Sequence, residues 1–342
     1  MSGVSRRQFL TWGFPAGLGL TGAALAATGQ EASPPIPKGM AHPNPTQYTG
    51  SSRPAPTERQ APDALNPMQI LTAFDHGKVT RSPDGRVQRE YTMTAFDREI
   101  EVARGVKFPA WTFNGAVPGP TIRCTEGDRL LIHFRNEGSM PHSIHLHGIH
   151  PANMDGVFEI VPPGGRYDYE LTADPFGLFL YHCHVMPLKK HIHKGLYGTF
   201  IVDPKTPRPP AKELVMVMNG FDTDLDGENE FYTVNGIANY FAEHPIPIQV
   251  GELVRVYLVN VTEFDLINSF HLHGNVFRLY RTGTNLTTYE VTDTVTLCQG
   301  ERCILEFTYN LPGKFMFHAH QSEFAELGWM GMFDVRPRAV SA

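Results

Sequence analysis

The sequence predicts an all-β protein made of two Greek-key β-sandwich domains. The chain has 342 residues, too many for one small domain, and its 32 glycines and 28 prolines favour short strands and frequent turns. Segments such as LLIHF and LVRVYLV are rich in β-branched and aromatic residues and lie between Gly, Pro or Asn. Short strands at regular spacing are typical of sandwich folds.

Residues 1–28 are predicted to be a twin-arginine signal peptide. Arg6 and Arg7 precede an apolar, Gly-rich run that ends in small residues around Ala24 to Ala27. A membrane anchor is the alternative, but the run is only weakly hydrophobic. We expect export to the periplasm or the exterior, with no membrane attachment of the mature chain. Residues 29–65, rich in Pro, Ser, Thr and Ala, are expected to be a flexible leader.

The rest of the chain contains an internal repeat. FNGAVPGPTIRCTEGDRLLIHFRN leads to HSIHLHG, and later VNGIANYFAEHPIPIQVGELVRVYLVN leads to NSFHLHG. A second pair of similar segments is FGLFLYHCH and PGKFMFHAH, which are followed by GLYG and GWMG. One β unit used twice predicts domain 1 at 66–204, a Pro-rich linker at 205–212 and domain 2 at 213–342.

The charge of the chain argues against some classes of partner. The formal net charge is -6, and nothing in the sequence resembles a basic nucleic-acid footprint. We therefore expect no nucleic-acid partner.

Pairs of histidines two residues apart indicate metal binding. Residues i and i+2 of a strand point to the same face. Four such pairs occupy matching positions in the two repeats: His145 with His147, His182 with His184, His271 with His273, and His318 with His320. One pair alone is typical of a polar strand face. Four pairs beside apolar strands favour metal, because uncompensated imidazoles near a core are costly.

Cys183 lies between His182 and His184, so it is expected to point to the opposite face and to a second site. A thiolate with two imidazoles is the environment of blue copper. The two imidazoles are expected to come from His142 and His191. The alternative for Cys183 is a small buried hydrophobic residue.

Two details of this second site stay open in the sequence. His193 competes with His191 as the ligand from the loop after the cysteine. Leu196 lies five residues beyond His191, where a thioether would give a lower reduction potential, and a leucine would leave the copper three-coordinate. A reductant is expected to donate its electron through an exposed edge of His191.

The motifs HSIHLHG, YHCH, FHLHG and FHAH resemble those of the two-domain multicopper oxidases, over nearly all of residues 66–337. The resemblance implies cupredoxin domains and a laccase-like oxidase that reduces dioxygen to two waters. The electrons would come from four one-electron oxidations of a small reductant, by default a phenol or aromatic amine. Four coppers per chain are implied: one type 1, one type 2 and two type 3. A homotrimer is implied too, with each trinuclear cluster between domain 1 of one subunit and domain 2 of its neighbour.

The resemblance also assigns the ligands. The type 1 copper would be held by His142, Cys183 and His191, with Leu196 in the axial position. The type 2 copper would be held by His145 and His271. The type 3 coppers would take the remaining histidines of the four pairs: His147, His182, His184, His273, His318 and His320. In the second repeat Asn268, Ala319, Phe324 and Trp329 occupy the type 1 positions, so one type 1 site per chain is expected.

Two carboxylates are candidate catalytic groups. Asp155, in MDGV, matches the family's aspartate near the type 2 copper, and Glu323 follows His320 by three residues. A turn Asp-Gly and a surface carboxylate are the respective alternatives.

Two other functions remain as alternatives. Copper nitrite reductases are related two-domain trimers, but their catalytic copper is a single ion with three histidines, and an aspartate takes the place of His145. A copper-binding protein without turnover is the other alternative. Cys298 and Cys303 flank a glycine turn, and either a disulfide or a reduced pair is consistent with the sequence.

Overall fold

The structure of the protein is a computed structural model that describes residues 66–82 and 84–338. The predicted signal peptide and leader lie outside these residues. All of the described residues belong to one compact unit. Among them, no helix combines the length and the apolar character that crossing a membrane requires.

The first half of the described chain, up to residue 203, forms ten strands and two short α-helices. The strands are β1 (Phe74–Asp75), β2 (Lys78–Arg81), β3 (Val87–Ala103), β4 (Val106–Phe113), β5 (Thr121–Thr125), β6 (Arg129–Asn136), β7 (His145–Leu146), β8 (Arg166–Thr172), β9 (Gly177–His182) and β10 (Tyr197–Asp203). The helices are α1 (Pro67–Ile70) and α2 (Leu188–His193), and a 3-10 turn covers Ala152–Met154.

The second half, from residue 212, forms eleven strands and two short α-helices in the described chain. The strands are β11 (Lys212–Phe221), β12 (Phe231–Val234), β13 (Ile246–Gln249), β14 (Val254–Asn260), β15 (Ile267–Leu272), β16 (Phe277–Arg281), β17 (Glu290–Thr292), β18 (Thr294–Cys298), β19 (Arg302–Phe307), β20 (Gly313–His318) and β21 (Met330–Arg336). The helices are α3 (Tyr240–Glu243) and α4 (Ser322–Glu326).

Each half contains two sheets. In the first half their strand orders are β1-β5-β10-β9-β7 and β2-β3-β6-β8, with β4 paired to β3. In the second half the orders are β13-β21-β20-β15-β18 and β12-β11-β14-β19-β16-β17. The parallel pairs β3/β6 and β5/β10 correspond to β11/β14 and β13/β21. The predicted all-β class is confirmed, and the repeat extends to the strand pairing.

Each half has its own apolar core, and a third apolar cluster joins the halves. The side chains of β9 alternate between two of these clusters. Phe179 and Tyr181 belong to the core of the first half, whereas Leu178 and Leu180 pack with Tyr257 of the second half. Strand β9 is therefore buried along its whole length. This double packing fixes the strand that leads into the HCH triplet.

A network of ion pairs also joins the halves. Arg123 of β5 binds Asp203 (Nε to Oδ2, 2.7 Å) and Glu213 of β11 (Nη1 to Oε2, 2.7 Å). Arg255 and the Tyr257 hydroxyl also donate to Glu213, at 3.0 and 2.7 Å. Burial alone would raise the pKa of Glu213, but these donors outweigh it and lower the pKa to about 2. The junction is therefore held by polar contacts as well as by apolar packing.

Candidate metal centres

The HCH triplet lies at the end of β9 and contributes to two different sites. His182 is paired with His145 of β7, which places both imidazoles at one edge of the sheet. Cys183 is fully buried, and its amide donates to the Leu196 carbonyl at 2.9 Å. Because successive side chains of an extended segment alternate, His182 and His184 line a cavity while Cys183 belongs to the core behind it.

Three ligand atoms converge at Cys183. Its Sγ lies 3.2 Å from Nδ1 of His191 and 3.9 Å from Nδ1 of His142, and the two Nδ1 atoms are 3.2 Å apart. The Ser143 amide donates to Sγ at 3.4 Å. Leu196 is fully buried, and its amide donates to the His191 carbonyl at 3.3 Å, so its backbone contacts both ligand segments. We call this set the thiolate centre.

Burial keeps the ligands of the thiolate centre uncharged when no metal is present. Desolvation lowers the pKa of His142 to about 3, and the neighbouring His191 adds to this. Desolvation, with the charge of Lys190, lowers the pKa of His191 to about 4. Burial raises the pKa of the Cys183 thiol to about 11. Neutral imidazoles are the form that binds metal, and the thiol must lose its proton when a metal enters.

His193 is not part of the thiolate centre. It is 4% exposed, and its Nε2 accepts a hydrogen bond from the amide of Asp222 at 3.0 Å. Its ring packs edge-on against Phe108 and Phe264. Of the two histidines that competed in the sequence, His191 is therefore the one beside the cysteine, and His193 ties α2 to the second half.

The expectation that His191 offers an exposed edge is wrong. His191 is only 1% exposed, because Trp111 covers it with a ring-centroid distance of 4.8 Å. The same indole lies 5.3 Å from the ring of His142, and the Nζ of Lys190 lies 5.5 Å from the indole centroid. Trp111 is itself buried, so the exposed group on this side of the thiolate centre is Lys190, which lies over the indole.

The first histidine cluster consists of His145, His147, His182 and His184. The Nε2 atoms of His147 and His182 are 3.2 Å apart, and the ring centroids of His145 and His184 are 5.3 Å apart. Burial, and then the neighbouring His182, lower the pKa of His147 to about 3, and burial lowers that of His182 to about 4. The four imidazoles line a cavity of about 650 Å³.

The second histidine cluster consists of His271, His273, His318 and His320, and it repeats the first. The Nε2 atoms of His273 and His318 are 2.9 Å apart, and the rings of His271 and His320 are 5.2 Å apart. His271 of β15 pairs with His318 of β20, as the first pair of strands does in the other half. The His320 amide donates to Ser269 Oγ at 2.7 Å.

In both clusters the Nδ1 atoms of several imidazoles are held by oxygen atoms. Nδ1 of His145 lies 2.7 Å from the carbonyl oxygen of Asp155 and 3.0 Å from its Oδ1. Nδ1 of His271 lies 3.0 Å from the carbonyl oxygen of Asp293. Two further imidazoles donate to the carbonyl of the next residue: His182 (3.0 Å) and His318 (2.6 Å). A carbonyl oxygen only accepts, so Nδ1 carries the proton and Nε2 is the available ligand atom.

No thiolate centre exists at the matching place in the second half. Ala319 and Trp329 are fully buried in its apolar core. Phe324 stacks on Tyr232 with centroids 3.8 Å apart, and Asn268 donates to Thr262. Core packing occupies the volume that ligands fill in the first half.

Comparison with known proteins agrees with this arrangement. Family models described as multicopper oxidase match residues 95–207 and 207–339. The chain belongs to the multicopper oxidase family. The resemblance noted in the sequence is thereby confirmed.

Relatives of this multicopper oxidase carry several names. A copper-containing nitrite reductase of Neisseria gonorrhoeae is 30% identical over 67% of this chain and 63% of its own length. Laccase-8 of Oryza sativa subsp. japonica is 25% identical over 61% of this chain and 43% of its own length. The chain thus spans less than two thirds of these curated relatives.

Solved structures also resemble this multicopper oxidase. A structure described as a multicopper oxidase is 54% identical, covers 80% of this chain and 97% of its own, and superposes with a TM-score of 0.78. A copper nitrite reductase from Nitrosomonas europaea is 27% identical, covers 73% of this chain and 94% of its own, and has a TM-score of 0.68.

The donor atoms of this multicopper oxidase fit copper. The thiolate centre offers one sulfur and two imidazole nitrogens, a set that suits copper. The clusters offer imidazoles whose Nε2 atoms are available, and imidazole is a good copper ligand. Family membership implies copper binding.

The two predicted carboxylates differ in position. Asp155 contacts His145, and its Oδ1 also lies 3.6 Å from Nε2 of His150. Glu323 is exposed on α4 and is not among the clustered ligand groups of the described residues. Sequence reasoning missed His150 and Asp293, although a third histidine so close to the first pair is a visible signal.

The four cysteines are unbonded in the structure. Cys298 is exposed at the end of β18, whereas Cys303 is buried in β19 of the other sheet. Of the two alternatives for Cys298 and Cys303, a disulfide or a reduced pair, the structure has the reduced pair.

Proposed function

We propose that this multicopper oxidase couples four one-electron oxidations of a small reductant, a phenol or an aromatic amine, to the reduction of dioxygen to two waters. The observation that carries the proposal is that each half supplies four clustered histidines. Eight imidazoles suit three coppers, in addition to the copper of the thiolate centre. Four coppers per chain follow: one type 1, one type 2 and two type 3.

The residues divide the chemistry between the sites. Copper, when bound, would accept single electrons at the thiolate centre and would bind and reduce dioxygen at the histidine clusters. The backbone of residues 182–184 joins Cys183 directly to two imidazoles of the first cluster, which is a short covalent connection. Asp155 fixes the orientation and tautomer of His145. A reductant would meet the exposed Lys190, and the buried Trp111 lies between it and His191.

We further propose a homotrimer in which the first cluster of one subunit completes the second cluster of its neighbour. Within the described chain, the ligand atoms of the two clusters form separate groups, and no group contains histidines from both clusters. Exposed apolar residues follow the first histidine pair of each cluster in sequence, among them Ile149 and Phe158 in the first half and Val276 and Val291 in the second. Exposed apolar residues of this kind favour contact with another protein surface. Export by the twin-arginine route would place this trimer in the periplasm or outside the cell.

Nitrite reduction is the second candidate, because curated relatives bear that name. A single catalytic copper with three histidines would leave several of the eight imidazoles unused. The histidines that a mononuclear site would not need, His184 and His318, therefore support the dioxygen reaction.

The test is a copper count combined with two assays on the copper-loaded protein. We expect four coppers per chain, blue absorption, and dioxygen uptake with a phenolic reductant. Cys183→Ser should lose one copper, the colour and turnover, whereas His244→Ala, a change of an exposed histidine outside the clusters, should resemble the wild type. Two coppers per chain with nitrite reduction and no dioxygen uptake would contradict the proposal. Absence of turnover with any reductant would instead indicate a copper-binding protein.

A further inference from the structure

A buried carboxyl group from the second half lines the cavity of the first histidine cluster. Glu263 lies in the loop after β14, and its side chain shares the cavity of about 650 Å³ with His145, His147, His182 and His184. The start of α2 and the turn at Gln299 also line this cavity. Among the described residues that line this cavity, Glu263 is the one carboxyl group.

The surroundings of Glu263 leave it able to hold a proton near neutral pH. The residue is 6% exposed, and in the part of the chain that the structure describes Lys189 is the one basic side chain whose charge acts on it. Burial raises its pKa to about 7, against the opposing effects of a hydrogen bond with Gln299 and the charge of Lys189. Lys189 is drawn toward the ring of Phe264, with its Nζ 4.0 Å from the ring centroid.

The other carboxyl groups in this region already have hydrogen-bond partners. Asp265 accepts hydrogen bonds from the Tyr232 hydroxyl (2.6 Å) and from Asn229 (3.0 Å). Asp155 lies behind His145, where it contacts Nδ1. The charged group that acts on the carboxyl of Glu263 is therefore Lys189, and the titratable groups that share its cavity are the four imidazoles of the first cluster.

The proposed reaction needs protons at this cavity. Reduction of one dioxygen to two waters consumes four electrons, supplied by the reductant, and four protons. We propose that Glu263 is the proton-relay residue of the first histidine cluster, a role that rests on the proposed function. In each transfer the Oε–H bond of Glu263 breaks, the proton passes to water in the cavity and on to the oxygen being reduced, and the carboxylate takes a new proton from solvent. The carboxyl group undergoes no net change over the cycle.

The test compares Glu263→Gln, Glu263→Asp and a matched control, Glu301→Gln. Glu301 is exposed and follows Gln299 by two residues in the same turn. In copper-free protein near pH 7, the infrared carbonyl band of a buried protonated carboxyl should be present in the wild type and in Glu301→Gln and absent from Glu263→Gln. This measurement does not depend on activity.

In the copper-loaded full chain, Glu263→Gln should keep its copper and its colour but lower dioxygen uptake about 100-fold, the usual scale for loss of a proton-transfer group. Anaerobic reduction of the thiolate centre by the phenol should keep its rate. The wild-type rate should fall as the pH rises through about 7, because Glu263 then loses its proton, and this fall should be absent from Glu263→Gln. Glu263→Asp should recover part of the uptake.

Several results would overturn the proposal. Equal dioxygen uptake and an equal pH profile in Glu263→Gln and the wild type would refute the relay role of Glu263 and leave the proposed function standing. If Glu263→Gln and Glu263→Asp both lose copper, the role of Glu263 is structural, and the relay proposal is refuted as well. A wild type that takes up no dioxygen would overturn both this proposal and the proposed function, so the two failures are distinguishable.

Discussion

The two kinds of centre present different ring nitrogens of histidine to the metal. At the thiolate centre, the Nδ1 atoms of His142 and His191 converge on Cys183. In the clusters, carbonyl oxygens hold Nδ1 of residues such as His145 and His271, so Nε2 is free. In the clusters the ligand atom is thus set by what the other ring nitrogen contacts, whereas Nε2 of His142 at the thiolate centre is buried without a hydrogen-bond partner.

At the residue scale, we expect Leu196→Met to lower the reduction potential of the thiolate centre. A thioether is a weak axial ligand that stabilises oxidised copper, whereas leucine offers no donor atom. The exchange preserves volume and should cost less than about 1.5 kcal/mol of folding free energy. Redox titration of the blue absorption measures the potential. Leu297→Met, in the core of the second half, is the control and should leave the potential unchanged. An equal or higher potential in Leu196→Met would contradict the expected role.

At the scale of elements, the two Gly-x-x-Gly motifs have a steric explanation. The first glycine of each, Gly195 or Gly328, adopts a positive φ where the chain leaves α2 or α4. The second glycine pairs across the strands with the aromatic residue that precedes the histidine: Gly198 with Tyr181, and Gly331 with Phe317. A Cβ atom at either would lie 2.3 Å from that aromatic side chain.

We therefore expect Gly198→Ala and Gly331→Ala each to lower the free energy of unfolding by about 2 kcal/mol, the usual cost of overpacking. Only Gly198→Ala should also change the blue absorption, because Tyr181 immediately precedes the HCH triplet and the second half has no thiolate centre. Chemical denaturation of copper-free protein and visible spectra of copper-loaded protein measure the two effects, and each variant is the control for the other. Wild-type stability of Gly198→Ala would contradict the steric argument.

The parts of the site that could be predicted from the sequence are those that depend on local pattern. Alternation along a strand is enough to put His182 and His184 on one side and Cys183 on the other. The burial of His191 and the place of Glu263 could not be predicted in this way. They depend on Trp111 of β4 and on a loop of the second half, which are distant in sequence from the HCH triplet and approach its sites only through tertiary packing.

At the scale of the whole molecule, the repeat gives one chain two histidine sites, each of which the proposed trimer would complete. The clusters at His145 and His271 each contain four imidazoles, yet their ligand groups are separate in the described chain. A closed ring of identical chains completes all such sites at once, because every subunit then offers both halves. The proposed trimer can therefore be tested by mixing defective chains.

We expect His147→Ala chains and His273→Ala chains to be inactive alone and to regain activity when co-expressed. In a ring of three, every mixed trimer contains one interface where an intact first cluster meets an intact second cluster. Random mixing should therefore restore about a quarter of the wild-type dioxygen uptake per chain. A chain that carries both substitutions is the control, since it should rescue neither single variant. If each active site formed within one chain, the mixture would stay inactive. A size measurement of the copper-loaded protein would then show a monomer.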